Sequence, residues 1–203
     1  GMQIIFHGKS SHAAAPEDGV SPAAAMADLM LKIPRLGSGN ITDADFSLST
    51  LTHARLGRPT FGVAPGEGEL RVTLRSRTNE RMDEMIATIQ AMLDEIASPL
   101  KTEIFWHDVF PAATNSLDAT DIAKNAASAR KMDIHEMQNP MKWSEDFGHI
   151  GLDGASATML FLGAGIDQPQ LHNPDYDFPD ALLVVGAELL LEIIDKTLGS
   201  GAD

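Results

Sequence analysis

The sequence predicts an α+β fold in two parts. Residues 2–110 form a split βαβ sandwich of the ferredoxin-like order βαββαβ, and residues 111–203 form part of an α/β layer. Three observations predict it. From Glu69 to Arg77 the chain alternates with period two, Leu70, Val72 and Leu74 against Arg71, Thr73 and Arg75, the pattern of a half-buried antiparallel strand. Met82, Met85, Ile86, Ile89, Leu93 and Ile96 recur at helical spacing and make one apolar stripe. Ala157 to Leu162 is a nearly unbroken apolar run closed by Gly163-Ala164-Gly165, the composition of a strand buried on both faces.

The elements follow in order. Gln3 to Gly8 reads as a strand, and Lys9 to Gly19 as a loop carrying His12. Ser21 is placed to cap a helix with Pro22 at its first position, running from Ala23 to about Ile33 and ending near Pro34. Asp45 to Ala54 is a second strand, Arg55 to Gly68 a glycine- and proline-rich connection, and Glu69 to Arg77 the third strand. Asn79 is placed to cap the next helix, where Glu80 and Asp83 complement the dipole. Thr102 to Val109 is the fourth strand, and the first part ends near Phe110-Pro111. Beyond it, Asp118 is placed to cap a helix over Ile122 to Lys131, and Ser144 to cap another that opens with Glu145-Asp146-Phe147. Ala181 to Leu198 is a helix apolar around most of its circumference, so burial on several sides is expected. One strand and three helices make a poor independent core, so the second part reads as a fragment of a layer whose other strands come from elsewhere.

Composition narrows the functions. The chain has 203 residues, 43% of them apolar, which suffices for a core. It carries 15 Lys plus Arg against 29 Asp plus Glu, a net charge of −14, which argues against nucleic acid or an anionic membrane as partner. The absence of cysteine excludes disulfides, thiolate metal sites and a thiol nucleophile, and fits a reducing, cytoplasmic setting. No window approaches a membrane span, and no charged-then-apolar leader precedes the first strand. Gly1 before Met2 reads as the residue left by a removed tag.

Most short motifs fail on inspection. His135-Glu136 lacks the second ligand of a zinc-protease helix, since Asn139 stands in its place. Gly163-Ala164-Gly165 and Gly66-Glu67-Gly68 lack the third glycine of a dinucleotide loop, with Gln168 and Arg71 there instead. Gly154-Ala155-Ser156 and Gly8-Lys9-Ser10 lack the closing glycine of a nucleophile elbow. His7, His53, His107, His135 and His149 read as structural or exposed. His12 and His172 stand apart, because both lie in loops leaving strands, where side chains reach clefts. His172 sits in Leu171-His172-Asn173-Pro174-Asp175-Tyr176-Asp177-Phe178-Pro179-Asp180, a loop crowded with carboxylates.

Phe6-x-Gly8-x-x-x-His12-x-x-x-Pro16 resembles the opening of the lid domain in the aminoacylase, hippurate hydrolase and indole-acetyl-amino-acid hydrolase family. These are two-zinc, carboxypeptidase-like amidohydrolases. Trp143-Ser144-Glu145-Asp146-Phe147, the run ending Phe161-Leu162-Gly163, and the His172 loop resemble that family's C-terminal blocks in order and spacing.

The resemblance implies a lid (dimerisation) domain followed by part of an α/β zinc-peptidase-like catalytic domain. It implies two zinc or manganese ions that activate a water against an amide or peptide carbonyl, in N-acyl amino acids or related amides. His172 corresponds to the last metal ligand, and nearby carboxylates are placed to orient its second nitrogen. His12 corresponds to a catalytic lid histidine that reaches the neighbouring subunit of a homodimer and stabilises the carbonyl oxyanion. Arg75 corresponds to a lid arginine that binds the substrate carboxylate.

Two departures qualify these implications. The family places an asparagine about where Gly62 lies. It also carries its remaining metal ligands and its glutamate base in a segment that would precede Gln3, and this chain has no His-x-Asp, no Glu-Glu and no cysteine to replace them. The isolated chain is therefore expected to bind zinc weakly and not to hydrolyse. Two other readings stay open: a dimerisation or binding module without catalysis, and one chain of a split, two-chain hydrolase.

Overall fold

The computed structural model describes residues 1–96, 98–152 and 154–199. The elements run β1 (Met2–His7), β2 (Ser11–His12), α1 (Ala23–Lys32), β3 (Ser47–Leu56), β4 (Val63–Ala64), β5 (Glu67–Ser76), α2 (Asn79–Asp94), β6 (Lys101–Trp106), α3 (Leu117–Ala129), α4 (Gly148–Leu152) and α5 (Ala181–Leu198). They fall into two compact units. One comprises Gly1–Ala112 with Asn139–Asp146, and the other comprises Ala113–Gln138 with the described residues of 147–203.

The first unit is the split sandwich. Its antiparallel sheet has the order β3-β5-β1-β6, with β2 and β4 forming a separate two-stranded piece. The register sets Ile4 opposite Leu70 and Ile104, so alternate residues of three strands share one face. That face buries Met2, Ile4, Phe6, Leu70, Val72 and Leu74 against Met26, Leu29 and Ile33, and against Met85, Ile89 and Leu93 of α2. Each such side chain contributes about 1.5–3 kcal/mol of burial. α1 lies close to the sheet at Gly68, where a Cβ would meet the Met26 sulfur and that flexible side chain would have to shift. The opposite face carries Glu69, Arg71, Thr73 and Arg75, so period two in the sequence separates core from candidate chemistry.

Helix ends differ in detail from the sequence reading. Thr78, not Asn79, caps α2 by accepting the Arg81 N–H, while the Asn79 side chain accepts the Ala112 N–H at 2.7 Å. α3 begins after Ser116 rather than at Asp118, which lies in its first turn. Ser144 caps no helix, because α4 starts only at Gly148.

The second unit departs further. Residues 157–162 do not form a strand. A strand exists through its ladder, and among the described residues of this unit no strand is available to pair with the run. The run is held by α3 instead. Ser116 donates its N–H and its hydroxyl to the Ala157 carbonyl at 2.8 and 3.0 Å, and its Oγ accepts the Ala157 N–H at 2.8 Å. Helix α5 has the bounds read from the sequence but not the burial. Only Leu189 is buried, while Leu183 is 60% and Val184 65% exposed. α5 packs on α3 through one stripe, and a single helix neighbour cannot cover an all-round apolar surface. No helix among the described residues is long and apolar enough to cross a membrane.

Candidate functional site

His12 sits on a purpose-held piece of backbone. Gly8 donates to the Gly66 carbonyl at 2.7 Å, and Lys9 and Val20 exchange backbone hydrogen bonds at 2.9 and 2.8 Å. Gly8 and Gly66 are needed there, because a Cβ on either would collide with the opposing backbone. β2 then pairs His12 with Val63 of β4, and Ala13 donates to the Gly62 carbonyl at 3.0 Å. The imidazole accepts the Ala14 N–H at Nδ1, 3.0 Å away. A neutral ring that accepts at Nδ1 carries its proton on Nε2. His12 is exposed, so that N–H is available as a donor. Beside it, a Cβ at Gly62 would meet nothing within 4 Å, leaving open space where the resembling family places an asparagine.

Arg75 lies on β5 opposite Leu48, on the face turned away from the helices. It is half-buried, and its Nη1 donates to Ser144 Oγ at 3.1 Å. On the same face Glu69 is nearly enclosed, at 6% exposure, and accepts from Arg71 Nε at 2.7 Å and Gln3 Nε2 at 2.9 Å, with Arg55 at 3.5 Å. The Arg71 hydrogen bond, followed by that from Gln3 and the charges of Arg71 and Arg55, holds the Glu69 carboxyl below its ordinary range despite desolvation. Arg71 is thus committed to a carboxylate within the chain, whereas the partner of Arg75 among the described residues is a neutral hydroxyl.

His172 is exposed and adopts φ 73°, in the left-handed region that non-glycine residues rarely occupy. Its loop braces itself: Asn173 donates to Gln170 O at 3.0 Å, Tyr176 to Asn173 O at 3.0 Å, and Gln168 Nε2 to Asp177 O at 2.6 Å. Asp175, Asp177 and Asp180 do not hydrogen-bond the imidazole, so the carboxylate contact foreseen for its second nitrogen is not made. Among the described residues, no three His, Cys, Asp or Glu side chains gather as a metal-binding group. The donor set therefore does not fit a two-metal centre by itself.

The structure brings Arg75 to Ser144, and places His12 and Arg75 in the sheet unit and His172 in the helix unit. A concavity lined by Arg35, Ser38, Asp43 and Arg81, and another lined by Ile122, Phe147, Leu160 and Ile193, contain none of the three. Sequence reasoning missed the Ala14 N–H and the side-chain role of Ser144. A backbone donor leaves no residue signature, and Ser144 was legible only as a cap.

Residues 1–101 match the peptidase dimerisation domain family. Over 98% of its length the chain is 27% identical to N-acetyldiaminopimelate deacetylase of Leuconostoc mesenteroides, of which it covers 52%. It is 21% identical to N-acetylcysteine deacetylase of Bacillus subtilis over 95% of its length and 50% of that protein. Among solved structures, aminopeptidase PepT of Bacillus cereus superposes with a TM-score of 0.71 at 22% identity, covering 97% of this chain and 51% of that one. That likeness shows a shared fold. The chain spans about half the length of the curated relatives it matches. Residues 1–101 therefore belong to the peptidase dimerisation domain family, and the chain as a whole is similar to amino-acid deacetylases over about half of their length.

Proposed function

We propose that this chain supplies the lid domain and part of the catalytic domain of a metal-dependent hydrolase that cleaves the amide of N-acyl amino acids. The observation that carries the reading is the match to N-acetyl-amino-acid deacetylases over nearly the whole chain. The domain boundary lies near residue 110. Arg75 binds the substrate carboxylate, and a planar guanidinium with free N–H groups suits that task. His12 donates Nε2–H to the carbonyl oxygen as negative charge develops there, a type of contact that lowers barriers by about 2.7–4 kcal/mol in other enzymes. His172 is one ligand of a zinc or manganese ion whose other ligands are not among the described residues. When bound, that metal supplies Lewis-acid and water-activating chemistry. The chain forms a homodimer through the lid domain, which sets His12 against a neighbouring subunit, and it works in the cytoplasm.

The test is direct. With zinc or manganese added, the isolated chain is expected to leave N-acetyl amino acids intact and to bind zinc more weakly than micromolar in calorimetry. Stoichiometric micromolar zinc, together with amidase activity abolished by His172→Ala, would overturn the view that ligands from elsewhere are required. The dimerisation-domain match also favours a second reading, a non-catalytic dimerisation module. Light scattering that finds a monomer at high concentration counts against it.

A further inference from the structure

Ser144 belongs to a motif whose side chains the proposed function leaves unused. It does not cap α4, yet the segment Asn139–Asp146 packs with the sheet unit, and Ser144 Oγ accepts Arg75 Nη1–H at 3.1 Å. A hydroxyl that accepts from a guanidinium keeps its own proton to donate. Arg75 spends one of its five N–H donors on Ser144, and among the described residues it pairs with no carboxylate. Each neighbouring guanidinium is otherwise engaged: Arg71 and Arg55 on Glu69, Arg77 on the Asp43 carbonyl, Arg81 on Glu84 and on the Leu36 carbonyl.

We infer that Ser144 and Arg75 form one carboxylate-binding pair. Arg75 supplies two N–H donors of its fork, and the Ser144 hydroxyl supplies a third donor to the same anion while holding the guanidinium plane. Ser144 is then a substrate-contacting residue. The inference rests on the reading of Arg75 as the carboxylate site and adds to it a second residue, from a part of the sequence 69 positions away.

The test uses the full chain, nitrogen-15 labelled at arginine, with the Arg75 Nε–H resonance identified by its loss in Arg75→Ala. N-acetylglycine is expected to shift that resonance saturably, and N-acetylglycinamide, which lacks the carboxylate, is not. Ser144→Ala is expected to raise the dissociation constant about three- to tenfold, the size of a typical net hydrogen bond. Ser144→Thr restores binding, and neither variant moves the urea midpoint. Wild-type affinity in Ser144→Ala would remove Ser144 from the site and leave Arg75 in place. A saturable response to the acid elsewhere in the chain that survives Arg75→Ala, or no response in the unaltered chain, would overturn the Arg75 reading and the pair with it.

Discussion

The two units handle the same kind of raw material in opposite ways. In the sheet unit, apolar residues at period two on β1 and β5 meet apolar residues at helical spacing on α1 and α2, and most of them are buried or packed against the buried cluster. In the helix unit the material is at least as apolar, but Leu160, Phe161 and Leu162 and most of α5 remain exposed. Among the described residues there, the buried apolar side chains are small or few: Ala123, Ala126, Ala157 and Leu189. Periodicity states which face favours burial. It does not state whether an element is present to cover that face. The helix unit is organised as much by polar contacts, with Ser116 clamping Ala157, and Arg130 pairing with Glu192 at 3.7 Å.

The sharpest way to break this contrast is a pair of truncations. Phe6→Ala empties a site with no exposed surface and is expected to cost about 3–5 kcal/mol by urea unfolding. Leu190→Ala, at a position 58% exposed, is expected to stay within about 0.5 kcal/mol. Equal losses would mean that α5 is covered in solution and that the contrast is false. Next in size, Ser116→Ala removes both side-chain bonds to Ala157 and is expected to cost about 1–2 kcal/mol. An unchanged midpoint would show that the 157–162 run is held by something other than that clamp.

His172→Gly works in the opposite direction. Relief of the left-handed backbone exceeds the entropy that glycine adds to the unfolded chain, so a gain of roughly 0.5–1 kcal/mol is expected. A loss would mean that the imidazole makes stabilising contacts in solution.

The smallest effect concerns pH. Glu69 is held below its ordinary value of 4.5, so its contribution is complete above that value and disappears as pH falls through the lower folded value. Arg71 and Arg55 are about half exposed, and solvent screening keeps the effect modest. Glu69→Gln is expected to flatten the acid limb of the stability curve below about pH 4.5 while leaving its alkaline side alone. An acid limb unchanged in the variant would assign the acid sensitivity to other carboxylates.

The candidate residues were legible one by one, as expectations. His12 and His172 stood out through their place in ordered motifs and Arg75 through the family resemblance, and the strand alternation around Arg75 already separated it from Leu74. What was not legible was partnership. The Nδ1 contact that directs the His12 proton to Nε2 comes from a backbone N–H, which every residue but proline carries. The Arg75–Ser144 contact joins residues 69 positions apart, a separation at which no local pattern reports proximity.

The sequence alone determined the four long strands and two helices of the sheet unit, though not the short β2 and β4, together with the bounds of α5 and the acidic, cysteine-free character of the chain. Those properties follow from side-chain periodicity and composition, which are local. Only the tertiary structure decided that 157–162 is not a strand, that α5 is largely exposed and that Ser144 serves an arginine rather than a helix end. Ladder pairing, burial and side-chain hydrogen bonds each need a second element in a given place, and a single stretch of sequence carries no record of whether that element is there.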